Sequence, residues 1–288
     1  MIISTKLRLE DKLPLTCTRT GTCCHGKLVH LNPWELRSIS KEKKITPGQF
    51  RDLYCELGGI HLKFNGVKDA SGKSACSQYI ENFGCSVHVG RPLACRLYPL
   101  GRQIQSEEVN YIFEGKEFPC LNGCPTVSEL PQLSVGEYLA GQETNAFETA
   151  QDEYLELMQN LADVAFALLL DTGLSESGDT KTLKTWREMG NESIEKLANR
   201  IGKEWMDALM LPEINIDNPV SFIQTHNDLL QSKAQEQFGG LQTFQEWHEA
   251  SVLIMAITLY LARSVGANPQ SLVEHWIEIA KENGAKAE

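Results

Sequence analysis

The 288-residue chain has no two cysteines separated by two residues, no cysteine after position 124, and no apolar run long enough to span a membrane. Each absence excludes something. Zinc knuckles, zinc ribbons and thioredoxin-type redox sites use C-x2-C to turn the backbone tightly around an ion or a disulfide. The ferredoxin runs are missing too. Cys120-x3-Cys124 could begin a radical-SAM triplet, but Val127 stands where the third thiolate would be. The most apolar stretch, Val164–Leu170, stops at Asp171, far short of the roughly 20 residues a span needs. The opening residues Met1–Arg8 meet charge too early for a secretory signal. The expectation is therefore a cytoplasmic protein with no membrane association. No Gly-rich phosphate loop, H-E-x-x-H or nucleophile elbow occurs. Glycine (22) and proline (11) are not enriched, which argues against a fibre or a disordered chain.

What is present is unevenly placed. Residues 1–130 hold 17 Lys and Arg against 13 Asp and Glu, and residues 131–288 hold 10 against 25. A slightly basic first part thus precedes a strongly acidic second part, where a nucleic-acid footprint is not expected. The simplest reading of that acidity is a set of solvated helix faces.

All nine cysteines, Cys17, Cys23, Cys24, Cys55, Cys76, Cys85, Cys95, Cys120 and Cys124, lie in the first part. A random scatter would put about half in the second part, so the segregation is informative. In a reducing compartment such a cluster points to a metal or redox site rather than structural disulfides. The ligands would have to be gathered from several separated loops. Vicinal Cys23 and Cys24 can serve one centre only if the backbone turns there, and Gly21 and Gly26 permit that. Cys55, in the apolar-periodic Phe50–Leu57 stretch, is expected to be a buried structural thiol.

The segment Cys85-Ser86-Val87-His88-Val89-Gly90-Arg91-Pro92-Leu93-Ala94-Cys95-Arg96-Leu97-Tyr98-Pro99-Leu100 resembles the signature of the YkgJ-like cysteine-cluster proteins, a zinc- or iron-chelating domain family. Cys17-Thr18-Arg19-Thr20-Gly21-Thr22-Cys23-Cys24 resembles its opening, except that Thr20 replaces a cysteine. Leu28–Leu36 and Thr46–Phe50 fit the strand and helix starts that follow, and Glu117–Cys120 and Ser134–Leu139 fit later features. The resemblance runs from 17 to about 160. Relatives of this family include flagellin lysine N-methylases, for which a [4Fe-4S] centre is the expected cofactor. The resemblance implies metal ligation by Cys17, Cys23, Cys24, Cys76, Cys85, Cys95 and Cys120. Cys124 joins these as a ligand candidate. It does not identify a substrate site.

Arg91 and Arg96 flank Cys95. Their charge would offset that of a thiolate-bound centre and raise its potential. The alternative is surface ion pairing. His25 and His88 are secondary ligand candidates beside the thiols. His30 and His61 are weaker ones. His226, His248 and His275 read as ordinary helix residues.

From 131 onward the apolar spacing is helical. Phe147, Ala150, Tyr154, Met158, Leu161, Ala165 and Leu168 share one face, with Gly173 as the stop. Asn191 is read as the cap of a helix bearing Ile194, Leu197, Ile201 and Trp205. Asn218-Pro219 and Asn268-Pro269 open two others, and Phe244, Trp247, Leu253, Ile257 and Leu261 mark one between them. The tryptophans are expected in the core. The chain is thus expected to be mainly α. An irregular cysteine-rich metal-binding domain of loops and short helices or strands (1–130) precedes an acidic helical bundle (131–288). The leading functional expectation is a cysteine-ligated centre, most plausibly an iron–sulfur cluster, serving redox chemistry or a protein modification such as lysine methylation. A structural zinc module with a helical scaffold, and a metal trafficking or storage protein, are the alternatives. A protein or peptide partner could bind the helical part.

Overall fold

The computed structural model describes residues 6–15, 21–105, 108–113, 132–170 and 180–286. In chain order its elements are β1 Lys12–Leu13, α1 Pro33–Lys43, α2 Pro47–Tyr54, β2 Cys55–Glu56, β3 His61–Leu62, β4 Tyr79–Ile80, β5 Gly84–Cys85, α3 Leu93–Leu97, β6 Leu100–Gln105, β7 Glu108–Phe113, β8 Leu133–Ser134, α4 Val135–Gly141, α5 Asn145–Leu170, α6 Lys181–Gly190, α7 Ile194–Met210, α8 Pro219–Phe238, α9 Phe244–Ser264 and α10 Pro269–Glu282. The chain is mainly α, with short strands concentrated in its first part, as expected. None of the described helices is long and apolar enough to cross a membrane.

The residues form two compact units. One comprises Met1–Val29, Arg37–Glu56 and Leu62–Glu148, and the other His30–Leu36, Leu57–His61 and Thr149–Glu288.

In the first unit the strands are mostly two residues long. The sequence between them keeps turning, through positive-φ Gly21, Gly26, Gly72, Asn82 and Gly84. The exception is the β6–β7 hairpin, paired from Leu100↔Phe113 to Gln105↔Glu108. Strand β1 pairs antiparallel with β8, and β4 with β5. Leu15, Ile39, Phe50, Val87, Leu93, Leu97, Val135 and Tyr138 are buried in this unit. Near the hairpin, Tyr111 Oη donates to Glu148 Oε1 at 2.7 Å and Thr144 Oγ1 to Glu148 Oε2 at 3.1 Å. The buried Arg102 guanidinium stands 3.8 Å from the same carboxylate. Buried charge is tolerated there because it is paired and hydrogen-bonded.

The second unit is built by capped helices. Ser193, Asn218, Thr243 and Asn268 each accept from a first-turn N–H of α7, α8, α9 and α10, which satisfies donors a helix start leaves open. Pro219 and Pro269 stand at the first helical positions, where a missing N–H costs nothing. Helix α9 is buried nearly all round from Ala250 to Ser264 and packs against α6 and α7. Its hydroxyls are satisfied: Ser251 donates to Ala165 O at 3.2 Å and Thr258 to Ile254 O at 2.9 Å. Trp186, Trp276, Tyr154, Tyr260 and Phe222 fill the core.

Several sequence expectations need correction. Asn191 closes α6 as its C-cap, and Ser193 starts α7. The chain needs a further turn after Gly190, made by Glu192 N–H on Met189 O at 3.0 Å, before a helix can restart. Helix α7 is not continuous, because Gly202 has φ 72° and interrupts it. Phe244 is exposed, since it is the first residue of α9, and its ring meets Trp247 edge-on. Trp247 is only half-buried, unlike Trp34, Trp186, Trp205 and Trp276. Gly173, read as the stop of α5, lies outside the described residues.

Candidate metal centre

The described ligand candidates among the thiols come from the Cys23–Cys24 turn, the Cys76–Cys85 stretch and Cys95. Cys23 and Cys24 lie in a single 3-10 turn, Thr22–Cys24. Gly21 and Gly26 on either side have φ 77° and 59°, so the backbone does turn as the vicinal pair requires. At Gly21 a Cβ would come 2.1 Å from the Tyr79 ring, so only glycine fits.

The turn is held to the second stretch by backbone bonds. Cys76 N–H donates to Cys24 O at 2.7 Å, and Gly26 N–H to Ser74 O at 3.0 Å. Cys76 Sγ accepts from Gln78 N–H at 3.5 Å. Three residues after Cys76, Tyr79 pairs with Cys85 across the β4–β5 hairpin. Its ring meets His25 edge-on at 5.0 Å. Tyr79 therefore packs against the Cys23–Cys24 turn while its backbone fixes Cys85. No spacing in the sequence singled it out.

Cys95 sits in the short helix α3, its N–H on Pro92 O at 3.0 Å. It is exposed to solvent, yet enough protein surrounds it for desolvation to dominate its ionisation.

The two flanking arginines divide the work. Arg96 is buried, and its Nε donates to Arg91 O at 3.0 Å and its Nη1 to Gln142 O at 2.6 Å, while Nη2 donates to Val89 O. The guanidinium lies over the Phe147 ring, 3.8 Å from its centroid. Its ion pair with exposed Glu143, at 3.9 Å, adds little. Arg96 is a clamp on the loop and helix that carry Cys95. Arg91 is also buried. It donates to His88 O and, at 2.6 Å, to Gln142 Oε1, and its positive charge favours ionisation of Cys23, Cys85 and Cys95. Both residues are buried, so a purely surface ion pair describes neither. Gln142 and Phe147 were invisible as partners in the sequence, some 50 residues away.

The thiols feel one another. A hydrogen bond from Cys24 favours the Cys23 thiolate, bringing it down to about 7, and the same bond pushes Cys24 well up. Desolvation is the first cause that raises Cys76 to about 11, Cys85 less far, and Cys95 well above the usual thiol range. Repulsion from neighbouring thiols adds to it: Cys76, Cys85 and Cys23 all bear on Cys95, and Cys95 and Cys85 on Cys24. Cys55 is buried, and desolvation raises it to about 12. Its burial is what its apolar setting suggested.

The donor set suits zinc or iron by type. Several thiols are held in one region, mutual repulsion resists their joint ionisation, and a cation would relieve it. Among the described residues, no three Cys, His, Asp or Glu side chains are grouped closely enough to hold a metal ion as they stand. Cys17, Cys120 and Cys124 lie outside the described residues. Each neighbouring histidine has its Nδ1 engaged. His25 Nδ1 donates to Gly21 O at 3.0 Å, leaving only Nε2 as a lone pair. His88 Nδ1 accepts from Arg91 Nη1 at 3.0 Å, because a guanidinium can only donate.

Residues 16–114 match the model of the CxxCxxCC family, described as "Putative zinc- or iron-chelating domain". Over this stretch the chain is similar to that family. The match covers about a third of the sequence and contains Cys17, Cys23, Cys24, Cys55, Cys76, Cys85 and Cys95, so metal binding belongs to this stretch. It ends before Cys120 and Cys124. No curated protein and no solved structure matches the chain.

Proposed function

We propose that the cysteine-cluster domain carries an iron–sulfur centre, of the [4Fe-4S] kind, held by thiolates from the set Cys17, Cys23, Cys24, Cys76, Cys85, Cys95, Cys120 and Cys124. The observation that carries this reading is the convergence of Cys23, Cys24, Cys76, Cys85 and Cys95 into one field from separated segments, with no C-x2-C turn among them. A cluster offers several metal atoms to several thiolates, and so suits ligands arriving from different loops better than one tetrahedral ion does. Bound there, such a centre would supply one-electron chemistry.

The chain's own residues have definable parts. Arg91 places positive charge beside the thiolates and lessens their repulsion. Arg96 holds the Cys95 loop through three carbonyls. Tyr79 keeps Cys85 near the Cys23–Cys24 turn. Accessible Cys95 marks the side on which the centre would meet an electron donor, a substrate or a partner protein.

Protein purified without oxygen should be brown, absorb near 400 nm as thiolate-bound clusters do, and contain iron and acid-labile sulfide. Colourless protein with stoichiometric zinc and no sulfide would overturn the reading in favour of a structural zinc module. Metal that passes within minutes to an added chelator would favour trafficking or storage instead.

A further inference from the structure

His30 and His61 form a second cluster of metal-ligating groups, in the helical unit, that the thiol centre does not use. They are partners in an antiparallel bridge, and Leu31 N–H on Ile60 O at 2.9 Å locks the neighbouring pair. Buried Leu31 and Ile60 hold both backbones in the core. The two imidazoles meet edge-on, with His61 Nε2 3.0 Å from His30 Nδ1. His30 also hydrogen-bonds the Arg263 backbone. A carbonyl there can only accept, so His30 Nε2 carries its proton and Nδ1 presents a lone pair toward His61.

Desolvation keeps both rings neutral, the form that binds metals, and lowers His61 to about 4. His61 is buried, while His30 is half-buried.

We propose that His30 and His61 are a bidentate site for a divalent transition ion of the nickel or copper(II) class, with water completing the coordination. Two nitrogens 3.0 Å apart subtend about 90° at an ion about 2.0–2.1 Å from each, whereas a tetrahedral ion would want about 3.3 Å between them. Cis ligands at a right angle belong to square-planar or octahedral coordination, and imidazole suits nickel and copper. Calcium and magnesium, which require oxygen donors, are excluded. The His30 hydrogen bond to a backbone carbonyl is the outer-shell contact that orients a ligating imidazole. For binding, the His61 proton moves from Nε2 to Nδ1 and the freed lone pair takes the ion, so no net proton is lost. The Arg263 charge acts on both rings and Glu195 on His61. The cation so close by holds the affinity down.

The test uses the intact protein with its resident metal in place, titrated anaerobically with nickel chloride in equilibrium dialysis, with resident iron and zinc measured in the same samples. The wild type should take up one nickel per chain that His30→Ala and His61→Ala both lose, at unchanged resident metal and circular dichroism. Arg263→Gln keeps every ligand and should bind nickel about threefold tighter or more, because a nearby positive charge is gone. Equal uptake by the wild type and both histidine variants would overturn the site. If either alanine variant fails to fold, His30→Gln and the gain in Arg263→Gln decide, and no gain in the latter counts against the proposal. Preference for zinc over nickel at these two residues would overturn the right-angle assignment. Resident metal is read separately, so failure here leaves the thiol reading untouched.

Discussion

The two units hold themselves together by different means. In the helical unit, Trp186, Trp276, Tyr260 and the buried length of α9 remove large apolar area from water, and local caps close the helix ends. In the cysteine unit, strands two residues long alternate with left-handed turns. There a buried guanidinium bonded to carbonyls and a tyrosine wedged against a glycine set the geometry. A fold rich in burial tolerates the loss of a polar contact. One built from turns around repelling thiols depends on whatever neutralises them.

That contrast can be broken most strongly by removing metal. Chelation under reducing conditions should open the cysteine unit to protease while most far-UV helicity remains, since thiolate-bound structural metal can contribute on the order of 10 kcal/mol to folding. Simultaneous loss of helicity would show that the units are not separable in stability.

Trp186→Ala is the converse. Its indole is fully buried against Phe166, so truncation should cost about 3–5 kcal/mol, seen in chemical denaturation, with metal content per folded chain unchanged.

Acid should weaken the helical unit through His226. This residue is buried, and its Nε2 donates to Ala208 O at 3.1 Å while Nδ1 accepts from Tyr154 Oη at 3.0 Å. Burial lowers it from 6.5 to about 4. Between those values the unfolded chain binds a proton that the folded chain refuses, so stability falls as pH drops through that window. The loss approaches about 3 kcal/mol. His226→Gln should flatten the profile between pH 6.5 and 4, and an unchanged slope would contradict the assignment.

Arg96→Gln should cost the cysteine unit about 1.5–3 kcal/mol, the value of hydrogen bonds to a charged group, and lower metal retention. Full metal retention in that variant would show that the clamp does not position Cys95. The smallest effect is expected from Ser193→Ala at the start of α7, about 1 kcal/mol, with no change in the metal.

Legibility followed the range of the interactions. The helix starts at Asn218 and Thr46 were readable, because a side chain bonding three residues ahead is local. The special glycines beside Cys23 and Cys24 were readable for the same reason. Asn191 misled because two cap-forming residues lie within three positions, and only the turn after Gly190 decides between them. Arg96 was legible only in part, since its partners Gln142 and Phe147 come from a distant stretch.

By itself, the sequence determined the helical class, most helix starts and the family resemblance of the cysteine domain, because periodicity, caps and clustered thiols are features of neighbours along the chain. The tertiary structure alone decided that Arg96 grips carbonyls while the charge of Arg91 bears on thiols, that Tyr79 sets Cys85, and that His30 meets His61 at hydrogen-bond distance. Of those contacts, Arg96–Gln142 and His30–His61 join residues 46 and 31 positions apart, and the shorter-range ones depend on which way a side chain turns; neither spacing nor composition carries that information.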